Sequence, residues 1–308
     1  ILITSTSFQD SSGKHHDLLN SQDWHVDYLR GPLSEEDVLL NIDKYDAVIC
    51  GDDNYTKKVL EKGKKNKLKI LSKYGVGLDK IDLAAAKNLE IKVFNCPGIN
   101  QVSVAEHVLA LLFSFEKNIH LQYSSVQSFS WSRKVGREIN GKTIGIIGMG
   151  FVGKELSLKA NALGLKVLAF DILKDESFYK LHKEISYVNS LDDIYAESDI
   201  ISLHIPHNSQ THNIINMDII NNKILKKPVI INTARGLLVN DDSIIHGLKK
   251  NLIRGYLCDV LAQEPIEINE KLVGIENVMI TPHTASRTFE NIEKQGLKAL
   301  NNLIENIE

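Results

Sequence analysis

The sequence predicts an α/β fold with two doubly wound parallel-sheet domains. Short apolar runs alternate with helical patterns along the 308 residues, which is typical of parallel sheets covered by helices on both faces. A chain of this length is also expected to form two domains rather than one. A last helical pattern at 288–307 follows the final strand of the second unit, so we expect it to pack back on the first domain. The domains are then 1–98 with 287–308, and 99–286, joined by two crossings that favour a hinged cleft.

The first domain contains five strand candidates and three helical patterns. Because these alternate and carry no glycine fingerprint, we predict a flavodoxin-like domain. Ser34 is placed to cap the first helix. The strands are predicted at 1–6, 24–29, 46–50, 68–71 and 91–94, and the helices at 34–42, 56–62 and 79–89.

Two loops of this domain, residues 73–79 and 95–100, follow strands at their carboxyl ends, where open α/β sheets place ligands. Gly75 and Gly77 allow the backbone of the first loop to point N–H groups at an anion. Ordinary turn chemistry explains the same glycines equally well.

Residues 101–118 form an apolar helical pattern suited to crossing from one domain to the next. The polar and aromatic segment 121–140 contains Trp131 and two arginines, and we predict that it is an arm rather than a core element. An exposed arm with Trp and Phe beside Arg is typical of subunit contacts. A surface loop fits these residues nearly as well.

The second domain is predicted to contain six strands, which complete a doubly wound sheet. The strands are placed at 143–147, 166–170, 199–204, 228–232, 254–260 and 277–280, and the helices at 152–163, 191–197, near 216–222 and at 241–250.

The most specific motif is the run Gly148-Met-Gly150-Phe-Val-Gly153, which lies between two apolar strands. Gly148 permits a tight turn, Gly150 lets the backbone approach a pyrophosphate, and Gly153 lets the helix pack closely on its strand. The N-terminus of that helix offers N–H groups and partial positive charge to a phosphate. The motif predicts a Rossmann dinucleotide-binding domain, and an ordinary glycine-containing turn is the alternative.

Asp171 ends the second of these strands, 23 positions after Gly148. An acidic residue at about this spacing accepts hydrogen bonds from the ribose hydroxyls of NAD and repels the 2′-phosphate of NADP. NAD is therefore the predicted cofactor, although Lys174 stands three residues later.

Composition argues against several classes of partner. A net charge of −3 gives no electrostatic reason to expect nucleic acid. No apolar run is long enough to span a membrane, and no signal peptide is visible. Cys50, Cys96 and Cys258 are too scattered for a disulfide framework or a C-x-x-C metal pair. We therefore expect a cytoplasmic protein with no metal site.

Three side chains follow strands of the second domain at their carboxyl ends. Arg235 lies in N-T-A-R-G, Glu264 in L-A-Q-E-P and His283 in T-P-H-T. A guanidinium can bind and polarise a 2-keto acid, an imidazole can exchange a proton with the alkoxide, and a carboxylate can orient that imidazole. Together they predict hydride transfer to or from a 2-keto acid. Each residue alone is more often a surface ion pair or a structural histidine.

Residues 73–288 resemble the D-isomer-specific 2-hydroxyacid dehydrogenases. Within that family the chain looks closest to the phosphoglycerate dehydrogenase-like members. The matching motifs occur in the family's order, and they are YGVGLDKIDLAAAK, NCPGINQVSVAEHVLALL, GKTIGIIGMGFVGKEL, INTARGLLVND, DVLAQEP and NVMITPHTA.

The resemblance implies that Arg235, Glu264 and His283 are a catalytic triad and that Val76 and Gly77 present N–H groups to the substrate carboxylate. It also implies that the 121–140 arm contributes to a homodimer. Beside the fingerprint glycines it places the cofactor against a further set of residues: Phe151, Val152, Asp171, His204, Pro206, Thr233, Ala234, Arg235, Asp259, His283, Ala285 and Ser286.

The chain departs from the family pattern at several points. The loop from His204 reads His-Ile-Pro-His-Asn instead of the usual His-x-Pro-Leu-Thr, and Cys96 replaces the commoner Thr of Asn-Thr-Pro. Asp52 and Asp53 stand where phosphoglycerate dehydrogenases often carry Arg-Ser, and two carboxylates there would repel a substrate phosphate. Lys73 or Lys57 would have to supply the positive charge. We also expect no small regulatory domain after the last helix.

These residues predict an NAD-dependent oxidoreductase that interconverts a D-2-hydroxy acid and its 2-keto acid, of the phosphoglycerate dehydrogenase type. A hydroxypyruvate or glyoxylate reductase is the alternative. Glu264 argues against the related formate dehydrogenases, which carry Gln at this position. A nucleotide-sensing corepressor of the same fold is a hypothesis from another class, and the lack of basic or disordered tails disfavours it.

Overall fold

The computed structural model describes residues 1–307, which divide into two compact units. The first unit combines Ile1–Asn100 with the segment that begins at Arg287, and the second unit is Gln101–Ser286. The first segment of this unit ends at Asn100, two residues beyond the predicted boundary at 98.

All strands of the described chain belong to two parallel sheets. The strands are β1 (Leu2–Ile3), β2 (Asp27–Tyr28), β3 (Ala47–Cys50), β4 (Ile70–Lys73), β5 (Lys92–Phe94), β6 (Thr143–Ile147), β7 (Lys166–Phe170), β8 (Ile185–Tyr187), β9 (Ile200–Leu203), β10 (Val229–Asn232), β11 (Gly255–Cys258) and β12 (Val278–Ile280).

In the described chain, a helix or helical turn follows every strand except β11. The helices are α1 (Thr6–Asp10), α2 (Lys14–Asn20), α3 (Glu35–Asn41), α4 (Lys57–Asn66), α5 (Leu83–Asn88), α6 (Gln101–Glu116), α7 (Ile119–Gln127), α8 (Phe151–Ala162), α9 (Glu176–Leu181), α10 (Leu191–Glu197), α11 (Asp241–Lys249) and α12 (Phe289–Ile304), with 3₁₀ turns at Ile42–Lys44 and Gly236–Leu238 and a π-helical turn at Ile219–Lys223.

The sheet of the first unit has the strand order β2-β1-β3-β4-β5, and every pairing is parallel. This order is the flavodoxin-like one, as predicted. Ser34 caps α3 in a capping box that Asp37 completes.

The last helix, α12, packs on the first unit. In β4, the Ser72 hydroxyl donates to the carbonyl of Ala299 at 2.9 Å, and the Tyr74 hydroxyl that follows donates to the carbonyl of Ile292 at 3.1 Å. Thr288 caps the helix by accepting the N–H of Asn291. The chain thus returns to its N-terminal sheet after completing the second unit.

The sheet of the second unit has the order β12-β11-β10-β9-β6-β7-β8, again with parallel pairing throughout. Six of these strands follow the Rossmann order, with β12 added at one edge. Successive residues of β10 alternate between the two faces, because Val229 and Ile231 pack in one apolar cluster and Ile230 in another. Helices therefore cover both faces, as the fold class requires.

Several elements differ from the predictions. The second sheet has seven strands and not six, because β8 was missed, and the short helices α1, α2 and α9 were missed as well. Each has at most seven residues, too few for a hydrophobic period to show. The predicted arm begins as the helix α7 and becomes irregular only after it.

Among residues 1–307, no helix is long and apolar enough to cross a membrane. The same residues contain no group of three or more His, Cys, Asp or Glu side chains placed to hold a metal ion.

Candidate active site

The fingerprint glycines have three different surroundings. Gly148 has a φ of +100°, and a Cβ there would lie 2.5 Å from the carbonyl oxygen of His204. A Cβ on Gly153 would lie 2.0 Å from the carbonyl oxygen of Gly148, whereas a Cβ on Gly150 would meet no atom within 4 Å. The turn therefore requires glycine at position 148, and close helix packing requires it at position 153. At position 150 the protein itself leaves room for a side chain. This space at the N-terminus of α8 suits a pyrophosphate.

The carboxylate of Asp171 faces the fingerprint from the end of β7. Its Oδ2 accepts the N–H of Met149 at 2.6 Å, and its Oδ1 accepts the N–H of Leu173 at 3.0 Å. The nearby Lys174 is engaged elsewhere, since its ammonium lies 3.1 Å from Glu176 and 5.0 Å from the ring centre of Tyr187. A negative charge thus stands where a ribose is expected, beside a cation already paired with another carboxylate.

The remaining residues predicted around the cofactor lie near the same edge of the sheet. Phe151 opens α8 with a largely exposed ring, and Val152 follows it half-buried. The ring of His204 lies 2.8 Å from the Ser202 hydroxyl, and burial lowers its pKa to about 4, so it is neutral at physiological pH. Pro206 is exposed beyond it.

The loop that carries Arg235 follows β10, and the side chain of Asn232 binds its backbone. The Asn232 side chain accepts the N–H of Ala234 at 3.1 Å and donates to the carbonyl of Arg235 at 2.9 Å. The Arg235 guanidinium donates to the carbonyl of Ala234 at 2.6 Å. The hydroxyl of Thr233 is buried and has no hydrogen-bond partner among residues 1–307. The buried side-chain amide of Asn232 therefore holds this loop, and Asn232 was not among the predicted site residues.

His283 and Glu264 are in direct contact, as their proposed partnership requires. Nδ1 of His283 lies 2.7 Å from Oε2 of Glu264, and both side chains are more than one-third exposed. The other carboxylate oxygen of Glu264 accepts the N–H of Leu261 at 2.8 Å. Because a carboxylate only accepts, Nδ1 carries the proton in this pair and Nε2 is the atom suited to proton exchange.

Asp259 organises the loop that carries His283. Its carboxylate accepts the hydroxyl of Thr281 at 2.6 Å and the N–H groups of Thr284 at 2.9 Å and Ala285 at 2.7 Å. Burial alone would raise the pKa of Asp259, but these hydrogen bonds and the nearby imidazole of His107 hold that pKa below its usual range. Asp259 is therefore a buried carboxylate that stays ionised.

A cavity of about 480 Å³ adjoins the His283–Glu264 pair within the second unit. The side chains of Leu272, Val278 and Ile280 give it apolar walls, and Thr281 adds a polar group. Its size is that of a small-molecule pocket.

In the first unit, Val76 and Gly77 lie in the loop that leaves β4. The carbonyl of Val76 accepts the amide of Asn95 at 2.7 Å, which ties the two predicted anion loops together. Within residues 1–307, the N–H groups of Val76 and Gly77 donate to no protein acceptor. They are therefore available for an anion.

The acidic loop after β3 lies beside the same strand end. Nζ of Lys73 is 2.5 Å from Oδ1 of Asp52 and also donates to the carbonyl of Gly51 at 2.5 Å. Asp53 is fully buried, where it accepts from the Thr4 hydroxyl and from the N–H of Leu33. The lysine that was expected to offer charge to a phosphate is thus committed to a carboxylate.

The comparisons with known proteins agree with this architecture. Residues 109–285, more than half of the chain, match the family model for the D-isomer specific 2-hydroxyacid dehydrogenase NAD binding domain. The hydroxypyruvate reductase of Thermotoga maritima is 33% identical over 89% of this chain and 89% of its own length. The D-3-phosphoglycerate dehydrogenase of Synechocystis is 33% identical over 84% of this chain but only 46% of its own length.

A solved structure extends the likeness to the whole fold. The apo D-lactate dehydrogenase of Escherichia coli superimposes with a TM-score of 0.85 at 27% identity, over 99% of this chain and 95% of the other. The matched domain is an NAD-binding one, and the open space at Gly150 and the carboxylate of Asp171 fit that cofactor. The chain therefore belongs to the D-isomer-specific 2-hydroxyacid dehydrogenase family, and it is an NAD-dependent oxidoreductase that acts on CH–OH donors.

Proposed function

We propose that this dehydrogenase reduces a small, unphosphorylated 2-keto acid, such as hydroxypyruvate or glyoxylate, to the D-2-hydroxy acid. The ion pair between Lys73 and Asp52 carries this proposal. The lysine side chain is only 6% exposed, while the aspartate is 62% exposed. With Asp53 beside them, one cation stands against two carboxylates, so this loop offers no positive charge to a phosphate.

The other lysine considered for this role is engaged as well. Nζ of Lys57 lies 3.8 Å from Glu61 on the exposed face of α4. The hydroxypyruvate reductase of Thermotoga maritima also matches along nearly its full length, which supports the unphosphorylated substrate.

Oxidation of D-3-phosphoglycerate is the second candidate. The Synechocystis relative of that name is as similar to this chain, at 33% identity, as the hydroxypyruvate reductase is. The charge at the β3 loop makes it the less favoured of the two.

In the proposed mechanism, Arg235 pairs with the substrate carboxylate and polarises the carbonyl. The N–H groups of Val76 and Gly77 are assigned, on the family resemblance, to binding a carboxylate. His283 donates a proton from Nε2 to the forming alkoxide, and Glu264 orients the ring by accepting the proton on Nδ1. NADH, when bound at the fingerprint, would supply the hydride.

The fingerprint would hold the cofactor through the N–H groups at the start of α8. Asp171 would bind the adenosine ribose, and the loops that carry Thr233, His204 and Asp259 would surround the nicotinamide half. These assignments are proposals that extend the family relationship to individual residues.

The test is to follow NADH absorbance with hydroxypyruvate, glyoxylate, pyruvate and 2-oxoglutarate, and NAD reduction with D-3-phosphoglycerate. We expect the highest kcat/KM with hydroxypyruvate or glyoxylate and little turnover with the phosphorylated acid. A preference for D-3-phosphoglycerate would reverse the ranking of the two candidates.

We also propose that the chain forms a homodimer through the 121–140 arm. Phe129 is fully exposed, and Trp131 and Val135 are more than four-fifths exposed. Three large apolar side chains exposed within seven positions of the chain favour a protein contact here.

A further inference from the structure

The helix α6 contributes a histidine to the network beneath the candidate active site. Nε2 of His107 lies 2.9 Å from Oγ1 of Thr281 and 3.5 Å from Oδ1 of Asp259. His107 is separated from Thr281 by 174 positions in the chain. The Asp259 side chain is fully buried, and that of His107 is 21% exposed.

The direction of the hydrogen bonds follows from the protons available. The Thr281 hydroxyl has one proton, which it donates to the carboxylate of Asp259 at 2.6 Å. A carboxylate can only accept. The contact between His107 and Thr281 must therefore be donated by Nε2–H of His107. The result is a directed chain from imidazole to hydroxyl to carboxylate, in which each bond strengthens the next.

This chain ends on the residue that fixes the backbone of His283. The carbonyl of Asp259 accepts the N–H of His283 at 2.9 Å, and its carboxylate accepts the N–H groups of Thr284 and Ala285. His283 itself has a φ of +53°, a left-handed conformation that costs energy for a residue with a side chain. The loop holds that conformation because Asp259 binds it on both sides of the histidine.

We propose that His107 is a positioning residue, which acts through Thr281 and Asp259 to hold His283 where it can exchange a proton. The proposal rests on the proposed role of His283 in catalysis. The imidazole of His107 faces Thr281 and Asp259, so in this proposal it sets geometry and moves no proton itself. Without the N–H of His107, the Thr281 hydroxyl loses a hydrogen-bond donor. The carboxylate of Asp259, which binds the backbone of the His283 loop, is then held less firmly. Catalytic groups displaced by a fraction of an ångström lose much of their effect.

Two substitutions separate the hydrogen bond from mere packing. His107→Leu removes the donor and keeps the bulk, whereas His107→Gln keeps an N–H near the position of Nε2. We expect His107→Leu to lower kcat about tenfold, the usual worth of one buried hydrogen bond. His107→Gln should recover kcat to within roughly threefold of the wild type. KM for the keto acid should stay unchanged in both, because the Arg235 loop is held by Asn232 and not by this network.

A second measurement reads the loop without using activity. Hydrogen–deuterium exchange of the Thr284 and Ala285 amides should become faster in His107→Leu and stay near the wild-type rate in His107→Gln. Thr281→Val breaks the same chain one step later and should match His107→Leu in both kcat and exchange, so a poorly folding leucine variant does not end the test. His246→Leu removes an imidazole of α11 that contacts Asn221 instead, and should change neither.

The outcomes separate the two proposals. A wild-type protein that turns over no keto acid contradicts the proposed function, whereas the exchange measurement still decides the role of His107. A wild type that loses activity in His283→Ala but keeps it in both His107→Leu and Thr281→Val overturns the positioning role. Unchanged amide exchange in both variants overturns it too.

Discussion

His283 is fixed at its backbone by Asp259 and at its ring by Glu264, which is what a proton-transfer group needs. We expect His283→Ala to lower kcat by roughly 10²–10⁴, the usual contribution of a general acid. Stopped-flow or steady-state NADH oxidation with hydroxypyruvate would measure it. His246→Ala serves as the control, because that ring belongs to a different contact. A turnover number that survives in His283→Ala would remove this residue from the mechanism.

Cofactor choice is a second question at the scale of single residues. Asp171 places a carboxylate at the expected ribose position, and Lys174 is held by Glu176 and Tyr187. Asp171→Ala should therefore raise the ratio of kcat/KM for NADPH to that for NADH by about tenfold or more, through lost ribose hydrogen bonds and lost repulsion.

The matched variant is Asp171→Asn, which removes the charge but keeps an acceptor. It should retain more NADH affinity than Asp171→Ala, measured by quenching of NADH fluorescence. If the ratio of kcat/KM for NADPH to that for NADH is unchanged in both variants, a residue other than Asp171 determines the cofactor preference.

The sequence alone predicted the candidate groups of the site but not the contacts that hold them. Arg235, Glu264 and His283 could be predicted because carboxyl-end loops of parallel strands meet at one edge, and the structure brings Glu264 and His283 into contact. Asn232, His107 and Thr281 were missed as supporting residues. Their partners depend on tertiary packing, as the 174 positions between His107 and Thr281 illustrate. Likewise, Lys73 was predicted from the sequence as a possible cation for a phosphate. Its ion pair with Asp52, which shows that its charge is already balanced, is visible only in the structure.

At the scale of elements, the turn between β6 and α8 permits a test that separates folding from binding. A Cβ at position 153 would meet the Gly148 carbonyl at 2.0 Å, so Gly153→Ala should destabilise the second unit by about 1–3 kcal/mol. A Cβ at position 150 meets only open space, and its φ of −70° suits alanine.

Gly150→Ala should therefore leave the thermal midpoint unchanged and raise Kd for NADH about tenfold or more, because the methyl group occupies the space meant for the pyrophosphate. Thermal unfolding and NADH titration of both variants would decide the matter. Equal effects of the two substitutions on stability would contradict this division of roles.

The elements that were predicted most accurately carry a clear local signal, which is a run of apolar residues for the strands and the Ser190 cap with an acidic first turn for the helix. The helix at 191–197 and the strands at 143–147 and 166–170 agree with α10, β6 and β7 to the residue. The missed β8 has three residues at the sheet edge, and the missed α1 has four polar residues beside one buried Phe8. Their conformation is set by the neighbours they pack against, since so short a stretch has no period of its own.

The stability of the whole protein should depend on pH through buried histidines. Burial lowers the pKa of His204 to about 4, and burial also lowers the pKa of His15. The unfolded chain binds these protons at about pH 6.5, so the stability is complete above that pH and is lost as the pH falls from about 6.5 toward 4. For His204 the loss is at most about 3 kcal/mol.

Urea unfolding at pH 7 and pH 5 would measure this loss. His204→Gln should lose less stability than the wild type between the two pH values, whatever its absolute stability. The exposed His25, substituted in the same way, should follow the wild type. Parallel curves for wild type and His204→Gln would show that acid acts through other groups.

Assembly is the remaining property of the whole molecule, and the arm after α7 makes it testable. Phe129, Trp131 and Val135 are 102%, 81% and 94% exposed, an arrangement that a protein contact would cover. We expect sedimentation velocity to find a dimer at micromolar concentration and the double variant Phe129→Ser with Trp131→Ser to sediment as a monomer. Leu181→Ser removes a similarly exposed apolar side chain from α9, 78% exposed, and should remain a dimer. Because aromatic anchors contribute most of the binding energy of an interface, a double variant that still sediments as a dimer would place the contact on another surface.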